Sequence, residues 1–199
     1  MRSYQYNLLC LLLLPVAILR AQDSSCYSLE GHIPILSQPK SMDCWITVIT
    51  MMVSWRDAKT YTIEAVAAKL GDPWKLYYDT NTGLPFNDQE KLIRELSLKG
   101  EPPANYITKA YLELLKAHGP LWITTGDGFS AHARLLIGIE TDTTKKTKGD
   151  TFIFIDPKLS TGKPVRLNSL QFFSQFEEEM RELNRENYKG PLRIQIYHF

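Results

Sequence analysis

The chain has 199 residues, of which 44% are apolar, and its 23 Lys and Arg residues almost balance its 22 Asp and Glu residues. This near-neutral charge excludes the basic surface typical of nucleic-acid-binding proteins and of proteins that adsorb to anionic membranes. The apolar content, which includes 11% aromatic residues, excludes a disordered chain and predicts a packed core.

The first 21 residues have the features of a secretory signal peptide. The basic residue Arg2 precedes an apolar run of 12 residues over 8–19, and the small residue Ala21 follows it. The run is shorter than the roughly 20 residues that a membrane-spanning helix needs. We therefore expect cleavage after Ala21, which leaves a single secreted or periplasmic domain over residues 22–199 with no membrane anchor.

Helical periodicity follows an irregular lead-in over residues 22–37. Apolar residues recur at the i, i+3, i+4, i+7 spacing of a helix buried on one side: Trp45, Val48, Ile49 and Met52. Ser41 or Asp43 can cap the start of this helix, which places Cys44 in or beside its first turn. Three further helices are predicted: one over 62–70, one that starts near 87–88 and ends by residue 100, and one over 108–117.

The second half of the chain is richer in strands. Four runs have the composition of β-strands: 121–124, 133–140, 151–155 and 192–197. A solvated hairpin loop is expected at 143–150. A last helix over 169–183 should turn three Phe residues inward and expose the acidic residues 177–179. Helices followed by strands predict an α+β fold in two halves, and a cleft between the halves is a natural site.

Two cysteines, Cys26 and Cys44, remain after removal of the signal peptide. A small secreted scaffold held by disulfides usually has four or more. The two can form one bridge, or Cys44 can be a free thiol with a chemical role. At a helix N-terminus the helix dipole and the unpaired N–H groups favour the thiolate, which is the nucleophilic form.

A nucleophilic cysteine needs a base, and four histidines compete for this role: His32, His118, His132 and His198. His132 is favoured because it stands at the start of a strand between small residues. His118 lies at a helix C-terminus, where a capping role explains it. The other two lie near the ends of the mature chain, where a solvated or packing role is expected.

Asp156 directly follows the strand predicted over 151–155. A carboxylate there can accept the second ring N–H of a histidine on a neighbouring strand, which is the orienting role in a catalytic triad. The alternative is a turn that begins at Asp156-Pro157. The turn residues 80–85 and Trp122 can border the same cleft or belong to ordinary structure.

The segment from Gln38 to Trp45 resembles the active-site segment of papain-like cysteine peptidases, in which a Gln lies six residues before the catalytic Cys and a Trp follows it. Three later segments are similar to a small bacterial group of these enzymes: 119–122, 132–139 and 155–157. This group includes the AvrRpt2-like peptidases and, more distantly, the C39 peptidases that process bacteriocin leaders. The resemblance covers residues 38 to about 176.

The resemblance implies a papain-like α+β fold, in which the nucleophile helix packs against an antiparallel sheet or half-barrel with the cleft between them. Cys44 would attack the scissile carbonyl, and His132 would pair with the thiolate and protonate the leaving amine. Gln38 would join the Cys44 N–H in an oxyanion hole, and Asp156 would orient His132. Asp43 should point away from the thiol, in a position to cap the helix, because a carboxylate beside the thiol disfavours the thiolate.

The implied partner is a peptide or protein substrate, and an inhibitor or immunity protein is compatible with such an enzyme. No metal-ligand spacing and no cofactor motif occurs in the sequence, so we expect neither group. Three alternatives remain open. The chain could be a cell-wall amidase or endopeptidase of NlpC/P60 type, a transglutaminase-like acyltransferase, or a non-catalytic binding protein with a Cys26–Cys44 bridge.

Overall fold

The computed structural model describes residues 26–126, 131–141, 149–185 and 193–199. These residues form six α-helices and a seven-stranded antiparallel sheet. The α+β class predicted from the sequence is therefore confirmed. The signal peptide and most of the hairpin loop at 143–150 lie outside the described residues. In the part of the chain that is described, every helix is too short or too polar to cross a membrane.

Five of the six helices match helices predicted from apolar periodicity. The helices are α1 Cys44–Arg56, α2 Ile63–Leu70, α3 Trp74–Thr80, α4 Phe86–Glu95, α5 Thr108–His118 and α6 Ser169–Arg185. The sequence did not predict α3, because seven residues show too little periodicity. Helix α4 ends at Glu95, within the expected bound of residue 100. Ser97, whose φ is 57°, follows it in the turn that leads to the next strand.

All strand pairs are antiparallel, and the main path runs β2-β7-β3-β4-β5-β6, with β1 paired to β4. The strands are β1 Cys26–Ser28, β2 Lys99–Gly100, β3 Leu121–Gly126, β4 Ala131–Glu140, β5 Thr151–Ile155, β6 Val165–Asn168 and β7 Ile196–His198. The sequence missed β1, β2 and β6, so the lead-in is not entirely irregular. These strands have two to four residues, too few for a clear alternation.

The sheet has a hydrophobic core on each face. Leu135 and Ile137 of β4 belong to one core together with α1, whereas Leu136 belongs to the other together with residues of α5 and α6. This division follows from the alternation of side chains along a strand. Helix α1 is buried all round, with ten consecutive buried residues over 45–54. The expectation of a helix buried on one side was therefore wrong, because the helix is enclosed by the sheet and by its helical neighbours.

Helix α6 packs closely on the end of β3. Phe172 and Phe176 are buried as predicted, but Glu179 is buried too, which corrects the expectation of an exposed acidic face. Its carboxylate accepts a hydrogen bond of 3.2 Å from Nε2 of Gln195. A Cβ atom on Gly126 would lie 2.6 Å from the main-chain N of Glu179, so this contact requires glycine.

Gly119, the C-cap of α5, lies against Trp55 of α1 and allows a test of the close packing between these two helices. It has φ 78° and ψ −147°, and an added Cβ would lie 2.1 Å from the ring of Trp55. We expect Gly119→Ala to lower the free energy of unfolding by about 2–4 kcal/mol, because backbone strain and overpacking add. Denaturant unfolding measures this loss. The control is Gly162→Ala, with φ 62° and no atom near the added Cβ. Equal losses in the two variants would contradict the predicted clash.

Candidate active site

Cys44 is the first residue of α1, and its thiol lies at the positive end of a buried helix. The first turn of α1 is fixed by the main chain of Asp43, whose carbonyl accepts from the N–H and the hydroxyl of Thr47 at 3.0 and 2.8 Å. The main-chain N–H of Cys44 is among the first four of the helix, which have no acceptor within it. The thiol borders a cavity of about 140 Å³. A rigid element thus presents both a thiol and a free donor to this cavity.

His132, the second residue of β4, lies between Cys44 and Asp156 and is only 4% exposed. Its Nε2 atom is 2.7 Å from Oδ1 of Asp156, and the ring also forms a hydrogen bond with Cys44. Burial lowers the pKa of His132, but the hydrogen bonds and charges of these two partners outweigh burial and raise it to about 9. The charged imidazolium is therefore favoured at neutral pH, and it is the form that pairs with a thiolate.

The strand register brings Asp156 to His132. Leu135 of β4 is opposite Ile155 of β5, so the next residue of the chain, Asp156, comes beside Arg134. His132 and Arg134 are two residues apart on β4 and share a face. Oδ1 of Asp156 also accepts from the main-chain N–H of Lys158 at 2.9 Å, and Oδ2 lies 3.0 Å from Nε of Arg134.

Asp156 stays ionised in this setting. Burial raises the pKa of its carboxyl, but the hydrogen bond and charge of His132, the charge of Arg134 and the N–H of Lys158 together lower it below the usual value. A carboxylate held between two cations keeps its negative charge at neutral pH. The structure therefore brings Cys44, His132 and Asp156 together as one connected group.

Gln38 lies on the turn before α1, and its amide faces the main chain. Its Nε2 donates to the carbonyls of Lys40 and Ser41 at 2.9 and 2.8 Å, and its Oε1 is buried without a hydrogen-bond partner. Both amide protons are thus used within the turn. The main-chain N–H of Gln38 donates to the carbonyl of Pro157 at 2.8 Å, which ties this turn to the segment that carries Asp156.

Asp43 occupies the N-cap position of α1, but its side chain makes no capping hydrogen bond. The predicted cap is therefore wrong for Asp43, and also for Ser41, whose hydroxyl accepts from Asn81 instead. The Asp43 carboxyl is fully buried and has no hydrogen bond of normal geometry. Burial raises its pKa; Lys40 opposes the rise, and the charge of Glu64 adds to it.

The remaining wall of the cavity combines apolar and polar groups from several elements. It is formed by Ser41, Met42, Trp45, Gly83, Leu84, Gln89, Trp122, Thr124, Ala131, Ala133 and Lys158. The turn over 80–85 and Trp122 therefore do border the cavity. The sequence analysis did not predict Gln89 as part of the site, because the residues around it on α4 form no binding or catalytic motif. It also missed Lys158, whose only signal was its place two residues after Asp156.

The two cysteines cannot form a bridge. Cys26 pairs with Glu140 at the end of β4, whereas Cys44 contacts His132 near its start. Eight residues along a strand correspond to about 26 Å, and a disulfide needs Cα atoms within about 7 Å. Both thiols are free. The alternative of a non-catalytic binding protein required a Cys26–Cys44 bridge, and that part of it is wrong.

Of the other histidines, His32 is exposed, and His118 and His198 pack against each other away from the cavity. The rings of His118 and His198 stack with centroids 3.8 Å apart, and Nε2 of His198 lies 2.9 Å from a carboxylate oxygen of Glu101. Among the described residues, no group of His, Cys, Asp and Glu side chains is arranged to hold a metal ion.

Comparison with known families gives a match over most of the chain. The family described as papain-like cysteine protease AvrRpt2 matches residues 28–178, a stretch that contains Gln38, Cys44, His132 and Asp156. The match supports the AvrRpt2-like part of the resemblance read from the sequence. No curated protein matches the chain significantly.

The buried carboxyl of Asp43 generates a prediction about stability. Because folding raises the pKa of this carboxyl, the folded state loses stability as the pH rises from the usual value of 3.8 through the raised value of the folded state. We expect Asp43→Asn to raise the melting temperature at pH 7, by roughly 2–4 °C for each kcal/mol recovered, with no gain at acidic pH. Thermal unfolding at both pH values measures this. Asp79→Asn, which removes an exposed partner of Lys75, is the control. A lower melting temperature for Asp43→Asn at pH 7 would argue against an unfavourable buried charge.

Proposed function

The chain belongs to the AvrRpt2 family of papain-like cysteine proteases and is thus a cysteine-type peptidase. We propose that Cys44, His132 and Asp156 are its catalytic triad. The substrate is a peptide or a protein. The observation that carries the proposal is the position of His132, which is buried between the thiol and an ionised carboxylate and has a pKa of about 9.

The first half of the reaction transfers the acyl group to the enzyme. The Cys44 thiolate attacks the carbonyl carbon of the scissile peptide, a C–S bond forms, and the carbonyl oxygen becomes an oxyanion. The imidazolium of His132 then gives its proton to the amide nitrogen as the C–N bond breaks. The amine product leaves, and the thioester remains on Cys44. Asp156 keeps its negative charge and stabilises the imidazolium until that proton is transferred.

The second half returns the enzyme to its starting form. His132, now neutral, takes a proton from a water molecule that attacks the thioester carbon. The C–S bond breaks, the carboxylic acid product leaves, and the thiolate–imidazolium pair is restored. The substrate, the side chains of Cys44 and His132 and one water molecule account for every proton and electron pair in these steps.

The oxyanion hole of this proposal uses the main-chain N–H of Cys44 and the side-chain amide of Gln38. Support for the first donor is its place at the start of α1, where no helix carbonyl can accept its proton. Support for the second is the spacing of Gln38 and Cys44 in the sequence. Because both protons of the Gln38 amide bind carbonyls of the turn, the amide must release one of them when an oxyanion forms.

The cavity supports a substrate with an apolar side chain beside the scissile bond. Met42, Leu84 and Trp122 provide apolar wall, and Lys158 and Gln89 provide polar groups. A volume of about 140 Å³ accommodates a side chain but not a large ligand. We also propose export of a peptidase domain over residues 22–199, on the evidence of the apolar segment over 8–19.

Substitution of the triad tests the proposal. We expect Cys44→Ala to abolish cleavage of an unfolded protein, and Asp156→Asn to slow it by roughly 10²–10⁴-fold, because the imidazolium loses its counter-charge. Mass spectrometry after brief iodoacetamide treatment should locate the label on Cys44 in the wild type, with much slower labelling in His132→Ala.

The matched control for this experiment is Cys26→Ala, which removes the exposed thiol of β1 and should leave the rate unchanged. Cleavage that survives Cys44→Ala would contradict the triad. Release of fragments from purified peptidoglycan, without any cleavage of unfolded protein, would contradict the peptide substrate and favour a cell-wall amide.

Replacement of Gln38 separates its two roles. We expect Gln38→Ala to lower kcat by roughly 10²–10³-fold with little change in KM, because the lost donor acts on the oxyanion in the transition state. Kinetics on the folded fraction, measured alongside thermal unfolding, report this. If the rate for each folded molecule is unchanged, Gln38 only supports the turn through Lys40 and Ser41, and the oxyanion role is excluded.

A further inference from the structure

The side chain of Arg134 has no task in the reaction described above, yet it lies at the site and is only 13% exposed. A buried guanidinium is costly to desolvate unless it is paired. Its Nε atom is 3.0 Å from Oδ2 of Asp156, whose side chain is 11% exposed. This Nε–H has no aligned acceptor, so the contact is an ion pair rather than a hydrogen bond. Its effect on Asp156 is therefore mainly electrostatic.

The other end of the guanidinium is held by α6. Nη1 of Arg134 donates to Oε1 of Gln175, so β4 and α6 both fix the position of the positive charge. Gln175 is neutral and cannot replace Asp156 as a counter-charge. The guanidinium is therefore held against one carboxylate by a partner that adds no competing charge.

The contacts of Asp156 are divided between its two oxygens. Oδ1 accepts from His132 and from the main-chain N–H of Lys158, at 2.7 and 2.9 Å. Oδ2 faces Arg134. Among the described residues, the charged and titratable groups that act on this carboxylate are His132 and Arg134 on β4, with the Cys44 thiol of α1 beyond the imidazole.

We infer that Arg134 is a positioning residue that keeps Asp156 ionised beside His132, with Gln175 holding the guanidinium in place. The inference rests on the proposed triad. Without this cation, Asp156 would take up a proton at a higher pH, since an opposite charge at this distance lowers the pKa of a carboxyl. Protonated Asp156 cannot stabilise the imidazolium, so activity would be lost earlier on acidification.

The test is the pH dependence of kcat/KM and of iodoacetamide labelling of Cys44. We expect Arg134→Met to lower kcat/KM at neutral pH by roughly 10–100-fold, since small displacements of catalytic groups have effects of that size. The acidic limb of the profile should shift to higher pH by about one unit or more. Arg134→Lys should restore most of the limb, because the contact is ionic. Gln175→Ala should move it in the same direction by less.

The matched control is Arg166→Met. It removes an exposed arginine of β6, in the same sheet as Arg134, that pairs with Glu30, and it should leave the profile unchanged. Rates are expressed for each folded molecule. If Arg134→Met does not fold, Arg134→Lys and Gln175→Ala carry the comparison. An acidic limb that stays in place in the folded variants would overturn the inference and leave Arg134 a purely structural role.

A double-mutant cycle with Asp156→Asn separates this inference from the proposed function. We expect the double variant Arg134→Met/Asp156→Asn to be no slower than Asp156→Asn alone, because Arg134 acts through Asp156. If Asp156→Asn itself has no effect, the triad is wrong. If Asp156→Asn slows the reaction but the effects of the two substitutions multiply, the triad survives and the role given to Arg134 is contradicted.

Discussion

A histidine buried as deeply as His132 would ordinarily be neutral, because burial disfavours the charged imidazolium. The Asp156 carboxylate, 2.7 Å from its Nε2, and the neighbouring thiol reverse that preference and raise its pKa to about 9. The site therefore depends on a carboxylate that must itself stay charged while mostly buried. The register of β4 with β5, the main-chain N–H of Lys158 and the guanidinium of Arg134 all act on this one group.

The two cores of the sheet explain how the site is held in place. On one face, α1 is enclosed over ten consecutive residues, so the thiol at its start has little freedom to move. On the other face, α6 contacts the strands on both sides of the residues 127–130, at Gly126 and at Arg134. Nucleophile and base thus belong to different structural layers that meet at one cavity. The same burial isolates the carboxyl of Asp43, one residue before the nucleophile, where we expect its charge to lower stability at neutral pH.

Much of this arrangement could be predicted because its signals are local. Apolar periodicity located α1 and therefore the N-terminal end that carries Cys44, and the β-rich run before Asp156 placed a carboxylate at a strand end. The contacts that depend on tertiary structure could not be predicted in this way. Arg134 meets Asp156 only through the pairing of β4 with β5, and Glu179 is buried only because α6 packs on Gly126. The amide of Gln38 faces its own turn because of the path of the backbone at Lys40 and Ser41. Such paths and pairings leave no periodic trace in the sequence.

The charge state of His132 is the quantity on which the proposed chemistry depends most directly. It can be measured by NMR titration of the imidazole in histidine-labelled protein, with the signal assigned by its absence in His132→Ala. We predict that His132 titrates at about 9 in the wild type, and that this value falls markedly in Asp156→Asn. A His132 that titrates near the ordinary value of about 6.5, with no response to Asp156→Asn, would contradict a thiol activated by a buried imidazolium.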